Sequence, residues 1–142
     1  MVEVNLKNNV LRFFAAVIGM WFIFLVITVV FKLNVLGGMI IIPLLASLFS
    51  GKSFVETYNR APNDDEAKAL TRVSFLYFFG FHLLLVIIAL ARLDVQAIFS
   101  LINATILTQI IIFVAFYFGI SFFFIRWGFG SLTRKLAAQQ NK

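Results

Sequence analysis

The sequence predicts an all-α integral membrane protein: one domain, 1–142, holding a bundle of four transmembrane helices built as two helical hairpins, with both termini cytoplasmic. Three observations predict it. The 142 residues are 62% hydrophobic and only 13% charged, with 19 Phe, which is more apolar surface than a water-soluble domain of this length can hide. The uncharged runs are long enough to cross a hydrocarbon core, for which about 20 helical residues suffice at a rise of about 1.5 Å each. Of the 12 Lys and Arg, only Lys32 and Arg92 occupy the two short connections, and the rest lie in the N-terminal lead, the central loop and the C-terminal tail. The positive-inside rule reads that asymmetry as N-in, C-in.

The first helix is placed at 13–31, behind Lys7 and Arg12. Its apolar run is too long for a signal-peptide core and no small-residue cleavage site follows, which predicts a retained helix. After a tight Lys32-Leu33-Asn34 connection, the second helix is placed at 35–58. Gly37, Gly38 and Pro43 predict that it is short and kinked, and the i,i+4 pairs Glu56/Arg60 and Phe54/Tyr58 favour a turn or two outside the membrane. Pro62 is expected to stop this helix. Asn63 then reads as an N-cap with Glu66 in capping-box position, and Asp64, Asp65 and Glu66 suit the positive end of the helix dipole. Asp64 can reach Lys68 at i,i+4.

The third helix is placed at 64–91, with its apolar run from Val73 to Ala91, and Arg92-Leu93-Asp94 forms the next connection. The fourth, 95–126, carries no charge between Val95 and Ile125. It exceeds one crossing, so it tilts or lays its first turns along the interface. Arg126 and Trp127 end it at headgroup level, where Gly128 and Gly130 are expected to release the helix. An offset of 60 relates Arg12 to Arg72 and Lys32-Leu33-Asn34-Val35 to Arg92-Leu93-Asp94-Val95, consistent with a duplicated hairpin or with two hairpins that share only their basic flanks.

The same residues narrow the function classes. With no Cys, disulfides and thiolate chemistry are excluded. The +6 charge flanks apolar runs, which is membrane orientation and attraction to anionic headgroups. No basic domain or stacking platform suggests nucleic acid. No His/Asp pair, metal-ligand cluster or phosphate-cradling Gly loop is present, so neither enzyme activity nor a metal or cofactor is expected.

His82, the sole histidine, sits mid-way along the third helix. It is either a functional ionisable group or a neutral imidazole bonded to a neighbouring helix, and the absence of any acid within the apolar runs favours the latter. Asn103, Thr105, Thr108 and Gln109 cluster on the fourth helix, with Thr28 at about the depth of Gln109. They line a polar path or act as interhelical glue worth about 0.6–2 kcal/mol each. Small pairs at four-residue spacing, Ala15/Gly19, Ser47/Gly51 and Ala115/Gly119, permit close helix approach. The hairpin tip 52–72 is the one cytoplasmic feature large enough to recognise a partner.

At Leu45 to Phe54, then Asn59-Arg60-Ala61-Pro62 and Glu66, the chain resembles a family of uncharacterised small four-helix inner-membrane proteins of Proteobacteria. Phe54, Arg60, Pro62 and Glu66 fit that family's motif between helices two and three, and Arg12-Phe13 fits its basic-aromatic start. Asn59 stands where the family usually has Gly. The resemblance implies the fold and the bacterial inner membrane and supplies no activity.

The expectation is therefore a non-enzymatic accessory, assembly or protective (immunity-like) membrane protein. It would act through contacts with a membrane protein partner or further copies of itself, with the hairpin motif as one contact or structural element. The alternative is a small oligomeric transporter or channel, with Thr28, His82, Thr108 and Gln109 lining its route.

Overall fold

The computed structural model describes residues 6–32, 40–91 and 103–140. They form helices α1 (Leu6–Phe31), α2 (Ile42–Tyr58), α3 (Asp64–Ala91), α4 (Ala104–Trp127) and α5 (Thr133–Gln140), the last two joined by a π-helical turn, Gly128–Leu132. Among the described residues every regular element is helical. Three helices among the described residues are long and apolar enough to cross a membrane: Leu6–Phe31, Asp64–Ala91 and the continuous Ala104–Gln139. The connections at 33–35 and 92–95, Gly37, Gly38 and the expected start of the fourth helix lie outside the described residues.

Two breaks expected of proline and glycine do not occur inside or at the end of the helices concerned. Pro43 does not kink α2. It stands in the first turn, after 3₁₀ residues 40–41, where a missing N–H and a fixed φ fit a helix start. Gly128 and Gly130 do not release the last helix, because the chain passes through the π turn into α5. The Thr133 hydroxyl donates to the Gly128 carbonyl at 2.7 Å, and no described glycine takes a positive φ. Of the two, Gly128 serves close packing instead of termination.

Neighbour contacts run in the cyclic order α1, α2, α4, α3, with the π turn and α5 against α2. The core gathers Val10, Phe13, Val17, Ile42, Ala46, Phe54, Leu70, Phe78, Ile125 and Phe129. All of it lies toward one end of the bundle, the end holding the turn between α2 and α3. The Ser50 hydroxyl donates to the Asn9 carbonyl at 2.6 Å, which fixes the antiparallel register of α1 and α2. Counting back eight residues, about 12 Å of rise, the described part of α2 begins level with Val17, in the middle of α1. Beyond that level α1, α3 and α4 carry long exposed apolar faces, including Val29, Val30, Ile87, Ile112 and Phe113.

The close approaches come from one of the three small-residue pairs. A Cβ at Gly51 would collide with the Thr133 side chain, and one at Gly128 would collide with Ser47, whereas Gly19 and Gly119 have nothing within 4 Å. As for the offset of 60, α1 and α3 end in register, at Phe31 and Ala91, but α2 has 17 residues and α4 has 24.

Candidate functional site

The motif residues between α2 and α3 form a clasp. α2 ends because Asn59 adopts φ 51°, ψ 28°, the left-handed conformation open to Gly and, among other residues, best tolerated by Asn. Its N–H reaches the Val55 carbonyl at 2.8 Å. Asn59 is thus the terminator, and Pro62, buried, follows three residues later. On the far side of the turn, Asn63 Oδ1 accepts from the Glu66 N–H and Glu66 Oε2 from the Asn63 N–H, both at 2.8 Å. This is the reciprocal capping box the sequence predicts.

Arg60 closes the clasp. Its Nη1 donates to Glu66 Oε2 at 2.8 Å and its Nη2 to Oε1 at 2.7 Å, a bidentate fork. The same guanidinium lies 5.6 Å from the centroid of the Phe54 ring, and Phe54 is fully buried. Phe54, Arg60 and Glu66 are therefore directed at one another, and Pro62 is buried in the turn that joins them. The charged pairs expected on each helix are exchanged, whereas the Phe54 and Tyr58 rings do meet, with centroids 4.7 Å apart. Glu56 meets Lys52 at 3.7 Å instead of Arg60, and Lys68 meets Asp65 at 3.4 Å instead of Asp64. Asp64 bonds Arg134 of α5, and Arg12 of α1 donates to the Ser53 hydroxyl. For Asp64 and Arg12 the partner distant in sequence wins because the bundle brings these helix ends together.

The first turns of α3 stand outside its apolar run, and their charges shift accordingly. Hydrogen bonding to Arg60 holds the Glu66 carboxyl below its ordinary range, the Asn63 N–H adding to the effect against the opposing cost of burial. Arg134 does the same for Asp64. Glu66 in turn raises Arg60.

His82 is the centre of a second cluster. Its Nδ1 lies 2.8 Å from the Phe78 carbonyl. A carbonyl only accepts, so Nδ1 carries the proton and Nε2 accepts. Two donors share that acceptor: the Tyr117 hydroxyl at 3.0 Å and the Trp21 indole N–H at 3.3 Å. The Phe78 and His82 ring centroids are 4.2 Å apart. One imidazole thus ties α1, α3 and α4 together inside the apolar part of the bundle.

Sequence reasoning identified His82 but missed Trp21 and Tyr117. The available signal was depth: each lies nine or ten residues inward from Arg12, Arg72 or Arg126, the basic residues flanking the apolar runs.

The remaining polar candidates do not join His82. The Thr28 hydroxyl donates to Phe24 O and that of Thr108 to Ala104 O, each at 2.8 Å within its own helix, the back-bond typical of Thr in helices. Asn103 caps α4, its Oδ1 accepting from the Ile106 N–H at 2.9 Å. Thr105 and Gln109 are exposed. Gln109 is eight residues from Tyr117, about 12 Å along the helix, so it lies beyond hydrogen-bonding reach of the His82 cluster. No protein-family model, curated protein or solved structure matches the chain.

Proposed function

We propose that this chain is a non-enzymatic, four-span protein of the bacterial inner membrane, with both termini cytoplasmic, belonging with the Proteobacterial family its hairpin motif resembles. It acts through protein–protein contact within the bilayer, as an accessory, assembly or protective subunit. The N-in, C-in reading draws support from the two bonds that join the basic segments at one end, Arg12 to Ser53 and Asp64 to Arg134.

The observation that carries the contact reading is Gln109. Its amide is exposed on α4, in a stretch from Ala104 to Phe113 where every residue is exposed. An amide facing hydrocarbon needs a partner, and a second protein surface supplies one. The clasp around Arg60 is a weaker contact surface, because its charges are already paired with each other.

The test is native mass spectrometry after gentle extraction from the native membrane through a terminal tag. A stoichiometric foreign subunit, lost in Gln109→Leu while the chain stays folded, is the expected result. A homo-oligomer without a foreign subunit that passes solute in liposomes overturns it in favour of the transporter reading.

A further inference from the structure

A groove of about 240 Å³ opens between the first turn of α3 and the end of α4, lined by Asp64, Phe123, Arg126, Trp127, Ser131 and Arg134. Its charges are unequally engaged. Arg134 bonds Asp64, so that carboxylate is already neutralised. Arg126 Nη1 is buried and has no hydrogen-bond partner among the described residues. A guanidinium donor withdrawn from water calls for an acceptor, and an anionic oxygen is the strongest available.

The depth of the groove specifies the anion further. Arg126 and Trp127 end the uncharged run of α4, at the level of lipid headgroups. Phe123 and Trp127 lie nearly parallel, ring centroids 6.5 Å apart. Both are exposed, giving the groove one apolar wall beside its cationic floor.

We infer that this groove is a binding site for the phosphodiester of an anionic phospholipid. The phosphate oxygens accept from Arg126 and from the Ser131 hydroxyl at the rim, while the glycerol and first acyl carbons lie on Phe123 and Trp127. A phosphodiester carries one negative charge, which matches the single net positive charge of two Arg against one Asp. A zwitterionic headgroup would bring its own cation toward Arg126 and Arg134, so the site discriminates against it. Inorganic phosphate would satisfy Arg126 but leave the aromatic wall uncovered.

The test titrates the full chain in detergent with short-chain phosphatidylglycerol or phosphatidylcholine and counts retained lipid by native mass spectrometry. One phosphatidylglycerol per chain is expected, in preference to phosphatidylcholine. Arg126→Gln should weaken it about tenfold, the factor for one charge-assisted hydrogen bond. Lys135→Gln, an equal loss of charge on α5 outside the groove, should not. Equal weakening by both variants would mean diffuse attraction and overturn the site. Displacement of the lipid by millimolar inorganic phosphate would make the ligand a free anion and overturn the lipid assignment. Should Arg126→Gln fail to fold, Asp64→Asn serves, since removing the competing carboxylate should tighten phosphatidylglycerol binding, and unchanged or weaker binding counts against the site.

Discussion

Arg60 and Glu66 meet in a two-point fork across the turn from α2 to α3, at 2.7 and 2.8 Å, and Glu66 simultaneously closes the capping box of α3. One carboxylate therefore ties Arg60, just past the end of α2, to the start of α3. Glu66→Ala removes both functions and should destabilise the chain by about 1–2 kcal/mol, a cap plus a partly exposed ion pair. Glu66→Gln keeps an oxygen for the Asn63 N–H and should cost less than half of that. Thermal unfolding in detergent separates them, and equal losses would show that the cap contributes nothing.

The same carboxylate sets an acid limit. Its folded pKa lies below the ordinary 4.5 because Arg60 favours the charged form. A depressed carboxyl contributes stability that is complete above the unfolded value and is lost as pH falls through the folded one. The unfolding midpoint should thus be flat across neutral pH and decline only below 4.5. Glu66→Gln should shallow that decline. Asp64 titrates in the same direction, but its pair with Arg134 is solvent-exposed, so added salt should erase its share. A midpoint that already declines above the ordinary carboxylate range would contradict this assignment.

Four glycines divide into two pairs with opposite expectations. Gly51→Ala and Gly128→Ala drive a methyl group into Thr133 and Ser47, and overpacking of this kind costs about 1–3 kcal/mol. Ser47→Gly should rescue Gly128→Ala by clearing the atoms it meets. Gly19→Ala and Gly119→Ala meet nothing within 4 Å and should be neutral or stabilising by up to about 1 kcal/mol through helix propensity. Melting temperatures of the four single variants test the division directly.

Those glycines also mark how far the sequence could be read. The three apolar helices, the capping box and the Asn63 start were legible because hydropathy and capping are local, written within a few residues of where they act. Which of the three small-residue pairs makes a contact was not, since it depends on the π turn and α5 packing against α2, and the continuation through Gly128–Leu132 hid behind glycines that usually end a helix. The ion pairs failed for the same reason: i,i+4 spacing named Lys68 for Asp64, but Arg134 lies 70 residues away and nearer in space. His82 could be identified by its type and depth. Its two donors, being aromatic, looked like any other lipid-facing ring.

The His82 cluster gives the sharpest test of that tertiary arrangement. His82→Phe keeps the volume and ring but leaves the Tyr117 hydroxyl and the Trp21 N–H without their shared acceptor in an apolar setting. An unsatisfied buried donor costs about 1–3 kcal/mol, so the variant should lose at least that much. Tyr117→Phe removes one donor and leaves Nε2 bonded to Trp21, and should cost no more than about 1 kcal/mol. Combining His82→Phe with Tyr117→Phe and Trp21→Phe removes acceptor and donors together. The polar contribution to the loss should then largely vanish, because no buried polar group is stranded, leaving the cost of the smaller ring at position 21. Stability therefore ought to be strongly non-additive across the three sites. If His82→Phe proves as mild as Tyr117→Phe alone, the imidazole is not the acceptor that ties α1 and α4 to α3.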